Sequence, residues 1–441
     1  MKLIHVPYCF YPDPVGGTEI YVAGLAREQQ RQGCEVIVAA PGEADSNYSH
    51  DGLAVRRFAV SPNVKDLRDL YGDGDPHAAA AFVRILDEER PDVVHLHAFT
   101  RAVSLRLVRE SKRRDIPVVF SYHTPTVSCQ RGTLLRWGSE MCDGVLDLRT
   151  CARCALQNHG LAKPTSVVIG SLPPGVGRLL GNVGASGGLW TALRMTELFN
   201  LRHAAFHALM RETDHVVALC QWVKDLLLRN GVPAEKITVS RQGVSRVAPA
   251  RPDRTPSSNL RVAFLGRLHP SKGVHVLVEA LRGNPQLPVR LDVFGVAQGE
   301  ADRSYAKRLG KLASGDPRIA FHAAIPNDQV VERLQEYDVL AVPSQCLETG
   351  PIVVLEAFAA GIPVLGSNLG GIAELVEHGV NGLLTDAASP DGWAEALRRL
   401  SQDRDLAARL RSGIRAPRTM REAAAELTAV YRQISQEAFA L

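Results

Sequence analysis

At 441 residues the chain is long enough for two or three domains, each with a full core. Hydrophobic residues at 45% and charged residues at 22% are ordinary for a globular protein, which sets aside disordered and fibrous classes. A net charge of +4 argues against a dedicated nucleic-acid binder, and no run reaches the ~18 apolar residues of a membrane span.

The first segment, MKLIHVPYCFYPDP, lacks a long apolar stretch and reads as a strand over 2–6. No secretory signal is visible, so the expected location is the cytoplasm, with the eight cysteines reduced or metal-bound. A helix is expected over 18–32, a strand over 35–40 and a helix over 76–89. Further strands follow over 92–96, 117–122, 215–219 and 237–240. Residues 101–114 read as a helix with a basic face: Arg101, Arg106, Arg109, Lys112, Arg113 and Arg114. A solvated face and contact with anionic lipid both stay open for it. The stretch 124–211 breaks the alternation. It holds a cysteine cluster and a Gly/Leu-rich run, read either as a loop with a helical hairpin or as a lid or membrane-contacting surface. The run 245–259 is rich in Pro, Ser and Arg and reads as a hinge. Strands then recur over 261–265, 290–294, 318–321, 338–342 and 363–366, and a last helix spans about 420–439.

Alternating strands and helices predict an α/β chain with two doubly wound, Rossmann-like domains facing across a cleft. The expected division is 1–245, with an insertion over about 124–211; a linker over 246–259; a second domain over 260–418; and a terminal helix, 419–441, crossing back to the first domain.

Glu348 and Glu356, with seven residues between them, dominate the second half. A strand runs into Pro343-Ser344, Gly350-Pro351 makes a turn, and a helix follows from Ile352 and Val353. Glu348 thus sits at the carboxyl end of a strand, where open α/β sheets bind ligands, beside a helix N-terminus suited to phosphate. Glu356 lies among Val353, Val354, Leu355, Ala357 and Phe358, where an unpartnered carboxylate is costly. Upstream, Gly266, Arg267 and Lys272 follow another strand. The glycine admits close backbone approach, and the two cations can neutralise a diphosphate. Near the N-terminus, Gly16 and Gly17 form a glycine turn before a helix, either a plain tight turn or room for a phosphate or acceptor. His123 follows the strand VVFSY. His95 and His97 lie on another strand, and one of them is expected to point towards a cleft, with His97 the candidate for the acceptor side. Cys129, Cys142, Cys151 and Cys154 fall within 26 residues and fit a structural zinc site; an iron–sulfur cluster, free thiols and disulfides stay open.

The set Pro343-Ser344, Glu348, Gly350-Pro351 and Glu356, with Arg267 and Lys272 upstream, resembles the donor site of retaining glycosyltransferases of the GT-B fold, family 4. The resemblance implies a nucleoside-diphosphate sugar donor, UDP-, GDP- or ADP-linked, on the second domain. It implies an acceptor hydroxyl on the first, from a glycan, a lipid-linked sugar or a small molecule. Arg267 and Lys272 would hold the pyrophosphate, Glu348 the sugar hydroxyls and Glu356 the ribose, while His123 and the glycine pair would lie beside the reacting sugar. No catalytic metal is expected, nor a nucleic-acid partner; peripheral membrane contact stays open. A sugar-nucleotide epimerase or hydrolase on the same fold, or a non-catalytic scaffold subunit, are the competing readings.

Overall fold

The structure, a computed structural model, describes residues 1–13, 16–63, 66–184, 187–248 and 258–439. The chain divides into two compact units, Met1–Ser240 with Ala424–Leu441, and Arg241–Ala423. The expected hinge, 246–259, falls largely on 249–257, outside the described residues.

Unit 1 carries β1 (Lys2–Val6), β2 (Glu35–Gly42), β3 (Ser46–His50), β4 (Leu53–Ala59), β5 (Val93–Leu96), β6 (Val118–Tyr122), a hairpin of β7 (Leu135–Arg136) and β8 (Glu140–Met141), then β9 (His215–Ala218) and β10 (Ile237–Val239). Eight of them form one sheet in the order β10-β9-β6-β5-β1-β2-β4-β3. Within that sheet only β3 pairs antiparallel, with β4. β5 and β6 are buried along their whole length, as both faces of a parallel sheet demand. The sequence reading missed β3 and β4. The reason is visible in LAVRRFA: Arg57 is buried in β4, bonded to Asp13 and to the carbonyls of Phe10 and Pro41. A charge so partnered does not break a strand.

Unit 2 carries β11 (Leu260–Arg267), β12 (Val289–Val296), β13 (Ile319–His322), β14 (Val339–Val342), β15 (Val364–Ser367) and β16 (Gly382–Thr385). They form one parallel sheet in the order β13-β12-β11-β14-β15-β16. The strand order reverses between β11 and β14, where Val262 pairs with Val339 and Ala263 with Leu340. That reversal is the topological switch point of a doubly wound sheet, the usual place for a ligand. β16, GLLT, is too short to have stood out by pattern alone.

The insertion is helical apart from its hairpin. Helices Leu148–Asn158, Lys163–Ile169, Pro174–Asn182 and Gly188–Leu193 precede the long helix Met195–Glu212. Leu156, Ile169, Leu198 and Phe199 are buried together at their junction. The expected basic helix is Leu105–Lys112, and its charges are mostly satisfied within the fold. Arg109 pairs with Asp73 and Glu212, Lys112 with Asp214, Arg114 with Asp87 and Arg106 with Asp69. That pairing leaves little of a bare cationic face for lipid.

The last helix, Met420–Phe439, contributes its residues from Ala424 onward to unit 1. Its Tyr431 is fully buried and its hydroxyl lies 2.6 Å from Nδ1 of His95 on β5. Tyr431→Phe keeps the packing and removes the partner of a buried imidazole, a loss of about 1–3 kcal/mol. The expected outcome is a lower midpoint for unit 1 in a thermal melt followed by near-UV circular dichroism; an unchanged midpoint would show the bond to be without weight.

Candidate active site

The loops after β11 and β14 meet at the switch point. After β11 the chain turns through a short 3-10 segment, Pro270–Lys272, into Gly273. Gly273 has φ of 72° and a Cβ there would lie 1.8 Å from the carbonyl oxygen of Pro343, so only glycine lets the two loops touch. Lys272 Nζ lies 2.5 Å from Oε1 of Glu348, and Ser344 Oγ donates to the same oxygen at 2.7 Å. Burial pushes the Glu348 carboxyl up, but the Lys272 ammonium and these hydrogen bonds outweigh it and hold it below the ordinary range. Burial likewise pushes Lys272 down, and Glu348 reverses that. Each keeps the other ionised. Gly370, at φ 48°, begins the next short helix, and the N–H of Gly371 donates to the Glu348 carbonyl at 2.7 Å.

Arg267 stands at the end of β11, next to Gly266, and its guanidinium is 46% exposed. It forms a two-point bond to Asp302, Nε to Oδ2 at 2.5 Å and Nη2 to Oδ1 at 3.1 Å. Asp302 is fully buried in the first turn of helix Glu300–Ala313 and also accepts from the N–H of Gln298 at 2.9 Å. The sequence reading did not single out Asp302. Its signal, an acidic residue in the first turn of a helix, is common at surfaces and marks no site by itself.

Pro351 caps helix Ile352–Ala359, whose first N–H groups, those of Ile352 and Val353, open onto the Gly350 turn. Gly350 is half-buried, and a Cβ there would lie 2.8 Å from Oε1 of Gln242. The carboxyl of Glu356, one helical turn on from Ile352, has no hydrogen-bond or ion-pair partner among the described residues. Burial alone pushes its carboxyl up to about 7.

In unit 1, Gly16 caps helix Gly17–Arg31, and its N–H donates to Glu19 Oε2 at 2.9 Å. The helix therefore starts one residue before the Thr18 expected from the sequence. His123 and His97 belong to a buried series of imidazoles. Gln29 Oε1 lies 2.7 Å from His5 Nε2, His5 Nδ1 lies 2.9 Å from His97 Nε2, and His97 Nδ1 lies 2.9 Å from His123 Nε2. An amide oxygen only accepts, so the proton order is set from one end. Nε2 carries the hydrogen on all three rings, and Nδ1 of His123 is the lone-pair nitrogen. Burial lowers every one of them, His5 to about 4 and His123 to about 3, so the rings are neutral. The structure corrects the expectation for His97: it is buried, both ring nitrogens are engaged inside the fold, and it positions His123 rather than reaching an acceptor.

His5, His95 and His97 are also the one group of three His, Cys, Asp or Glu side chains, among the described residues, whose ligand atoms lie within 4.8 Å of one another. All six of their ring nitrogens already have hydrogen-bond partners, His95 through Tyr431 and Ser121. The four cysteines are a correction. Cys129, Cys142, Cys151 and Cys154 line one cavity, but no three of their sulfurs converge as a ligand set. The arrangement does not support the zinc expected from spacing.

Residues 16–243 match the model of the glycosyl transferase 4-like domain, and residues 251–416 that of glycosyl transferases group 1. The chain belongs to this glycosyltransferase family. A D-inositol 3-phosphate glycosyltransferase of Xylanimonas cellulosilytica is 28% identical to it, over 96% of this chain and 92% of that one. Among solved structures, the Anabaena HepE protein in complex with UDP and glucose superposes with a TM-score of 0.62 at 19% identity, covering both chains fully. The sucrose-phosphate synthase of Thermosynechococcus elongatus gives 0.66 at 18%, over 98% and 99% of the two chains. The glycosyltransferase thus has the GT-B fold expected from its sequence.

The raised carboxyl of Glu356 has a consequence for stability. The folded state keeps a proton that the unfolded chain releases near pH 4.5, so its stability falls as pH rises from there through about 7. Glu356→Gln removes that dependence. Its melting temperature should match the wild type near pH 4.5 and exceed it by several degrees at pH 8.5; a difference that stays flat with pH would contradict the assignment.

Proposed function

We propose that this glycosyltransferase moves a sugar, with retention at the anomeric carbon, from a nucleoside diphosphate to an acceptor hydroxyl without a catalytic metal. The carrying observation is the junction of the β11 and β14 loops, where the Lys272–Glu348 pair forms near the Asp302-braced Arg267 and the chain runs on into the helix Ile352–Ala359 that carries Glu356. Diphosphate departure needs positive charge held in place beforehand. Arg267 is exposed and pre-oriented by Asp302, Lys272 is half-buried beside it in sequence, and the N–H groups of Ile352 and Val353 add a dipole end. Glu348, ionised, accepts from sugar hydroxyls, and Glu356 supplies hydrogen bonds to the ribose. In unit 1, His123 presents a neutral lone pair to a sugar hydroxyl, and Gly16-Gly17 leave room for the reacting group. In the front-face reading the acceptor oxygen bonds to the anomeric carbon on the side from which the diphosphate leaves, and its proton passes to the departing phosphate oxygen.

The donor base is open. The related structures include complexes with UDP, UDP-glucose and ADP, which sets the ligand panel. The names of the curated relatives add inositol phosphates to the acceptor panel beside glycans and lipid-linked sugars.

A nucleotide that binds only the folded state, at a hundredfold excess over its Kd, stabilises it by about 2.7 kcal/mol. A thermal-shift panel of UDP, GDP, ADP and their sugars should show one responsive family, and Arg267→Ala should abolish the response. No response from any nucleotide would overturn the donor-site reading. Lys272→Ala and Glu348→Ala should each lower kcat at least a hundredfold with the fold intact by circular dichroism; near-native turnover in either would refute the roles given to them. EDTA should leave turnover unchanged. Donor consumption that runs at the same rate without any acceptor would favour a hydrolase or epimerase instead.

A further inference from the structure

No described helix is long and apolar enough to cross a membrane, but the insertion of unit 1 carries an unusual surface. Fifteen large hydrophobic side chains are exposed among the described residues, and seven of them fall between Val167 and Trp190. Val167 and Val168 lie on helix Lys163–Ile169, Val176 and Leu179 on helix Pro174–Asn182, Val183 at that helix's C-cap, and Leu189 and Trp190 on helix Gly188–Leu193. The exposure is large, 68% for Leu179 and 79% for Val183. Scattered exposed apolar residues are normal, but a concentration of this kind marks an interaction surface.

Helix Pro174–Asn182 is built inside out. Its Val176 and Leu179, with Val183, recur at i, i+3 and i+7 and make one outward stripe. Its inward face is glycine against charge. A Cβ on Gly177 would lie 2.7 Å from Cβ of Glu197, and one on Gly181 would lie 2.7 Å from a guanidinium nitrogen of Arg194. Beneath it Glu197 is buried between Arg194 at 2.9 Å and Arg68 at 3.1 Å, and Arg68 reaches Asn182 at 2.8 Å. The fold therefore buries polar groups here and leaves apolar ones outside, the reverse of a helix that faces water.

The charge around the stripe is one-sided. Between Asp147 and Glu197 there is no acidic residue, whereas Arg149, Arg153, Lys163, Arg178 and Arg194 are basic. Arg178 is exposed on the helix of the apolar stripe, and Lys163 on the helix that carries Val167 and Val168. The rest of this surface is Gly, Pro, Ser and aliphatic, with few side chains able to make directed bonds to a protein partner. A lipid surface needs none: it takes apolar side chains into the headgroup boundary and draws cations to its anionic groups.

We infer that the helices of 163–193 form a membrane-docking face that seats unit 1 on an anionic phospholipid bilayer without crossing it. The inference does not rest on the roles given to the residues of unit 2.

Flotation of the full chain with vesicles separates the outcomes. With equal parts phosphatidylglycerol and phosphatidylcholine the protein should float, and with phosphatidylcholine alone it should float weakly. The exposed triple variant Leu179→Glu, Val183→Glu and Leu189→Glu should lose at least tenfold in partitioning, with circular dichroism and melting temperature unchanged. Lys163→Glu with Arg178→Glu should remove the preference for anionic vesicles. The inference is overturned if the wild type does not float, or if the triple variant floats equally well. It is also overturned if light scattering shows the wild type to be an oligomer that the triple variant dissolves, since the face would then join protein to protein. Should the triple variant also be unfolded, Trp190→Asp alone, read the same way, decides the matter.

Discussion

Two charges that cannot be buried singly hold the candidate site together. Lys272 leaves β11 and Glu348 leaves β14, the two strands from which the sheet of unit 2 runs in opposite directions. Taking either out of water alone would cost several kcal/mol, and removing one would strand the other. The pair ties two loops that the backbone also joins, through the N–H of Gln345 donating to the carbonyl of Ser271 at 2.7 Å. The close approach that makes it possible depends on glycine at 273, where any side chain would strike Pro343. Arg267 follows the same logic one step away, with a fully buried carboxylate holding two of its nitrogens and leaving the group itself open to solvent.

Unit 1 solves a similar problem without charge. Its buried histidines are neutral, and their order comes from hydrogen bonds passed from ring to ring starting at the Gln29 amide. Such a network is stiff, because reversing one ring's tautomer obliges its neighbours to reverse. Glu356 stands apart from both arrangements. It is a partly buried carboxyl with no side-chain partner among the described residues, the kind of group that marks a candidate functional site.

Much of this was legible in the residues. Strand ends followed by glycine and a cation, or by a glutamate before a Gly-Pro turn, located Arg267, Lys272, Glu348 and Glu356 at the carboxyl edge of a parallel sheet. What pattern could not show was pairing across long separations. Asp302 braces Arg267 from 35 residues away, and His5, from the neighbouring strand β1, and Gln29 stand behind His97 and His123. The same limit explains the failures. Arg57 looked foreign to a strand because its partners lie elsewhere in the chain. The basic run of 101–114 looked bare because its carboxylates come from distant segments. The cysteines looked like a metal site because spacing says nothing about where sulfurs point.

The last helix has a consequence in time as well as in space. Unit 1 is made of residues from both ends of the chain, with the whole of unit 2 between them. A ribosome delivers the eight strands of its sheet first, then every residue of unit 2, and only then Tyr431, which closes over His95. Until that moment a buried imidazole on β5 faces a gap. The N-terminal unit is the first to be synthesised and the last to be finished, so unit 2 has the time to fold before its elder neighbour is complete.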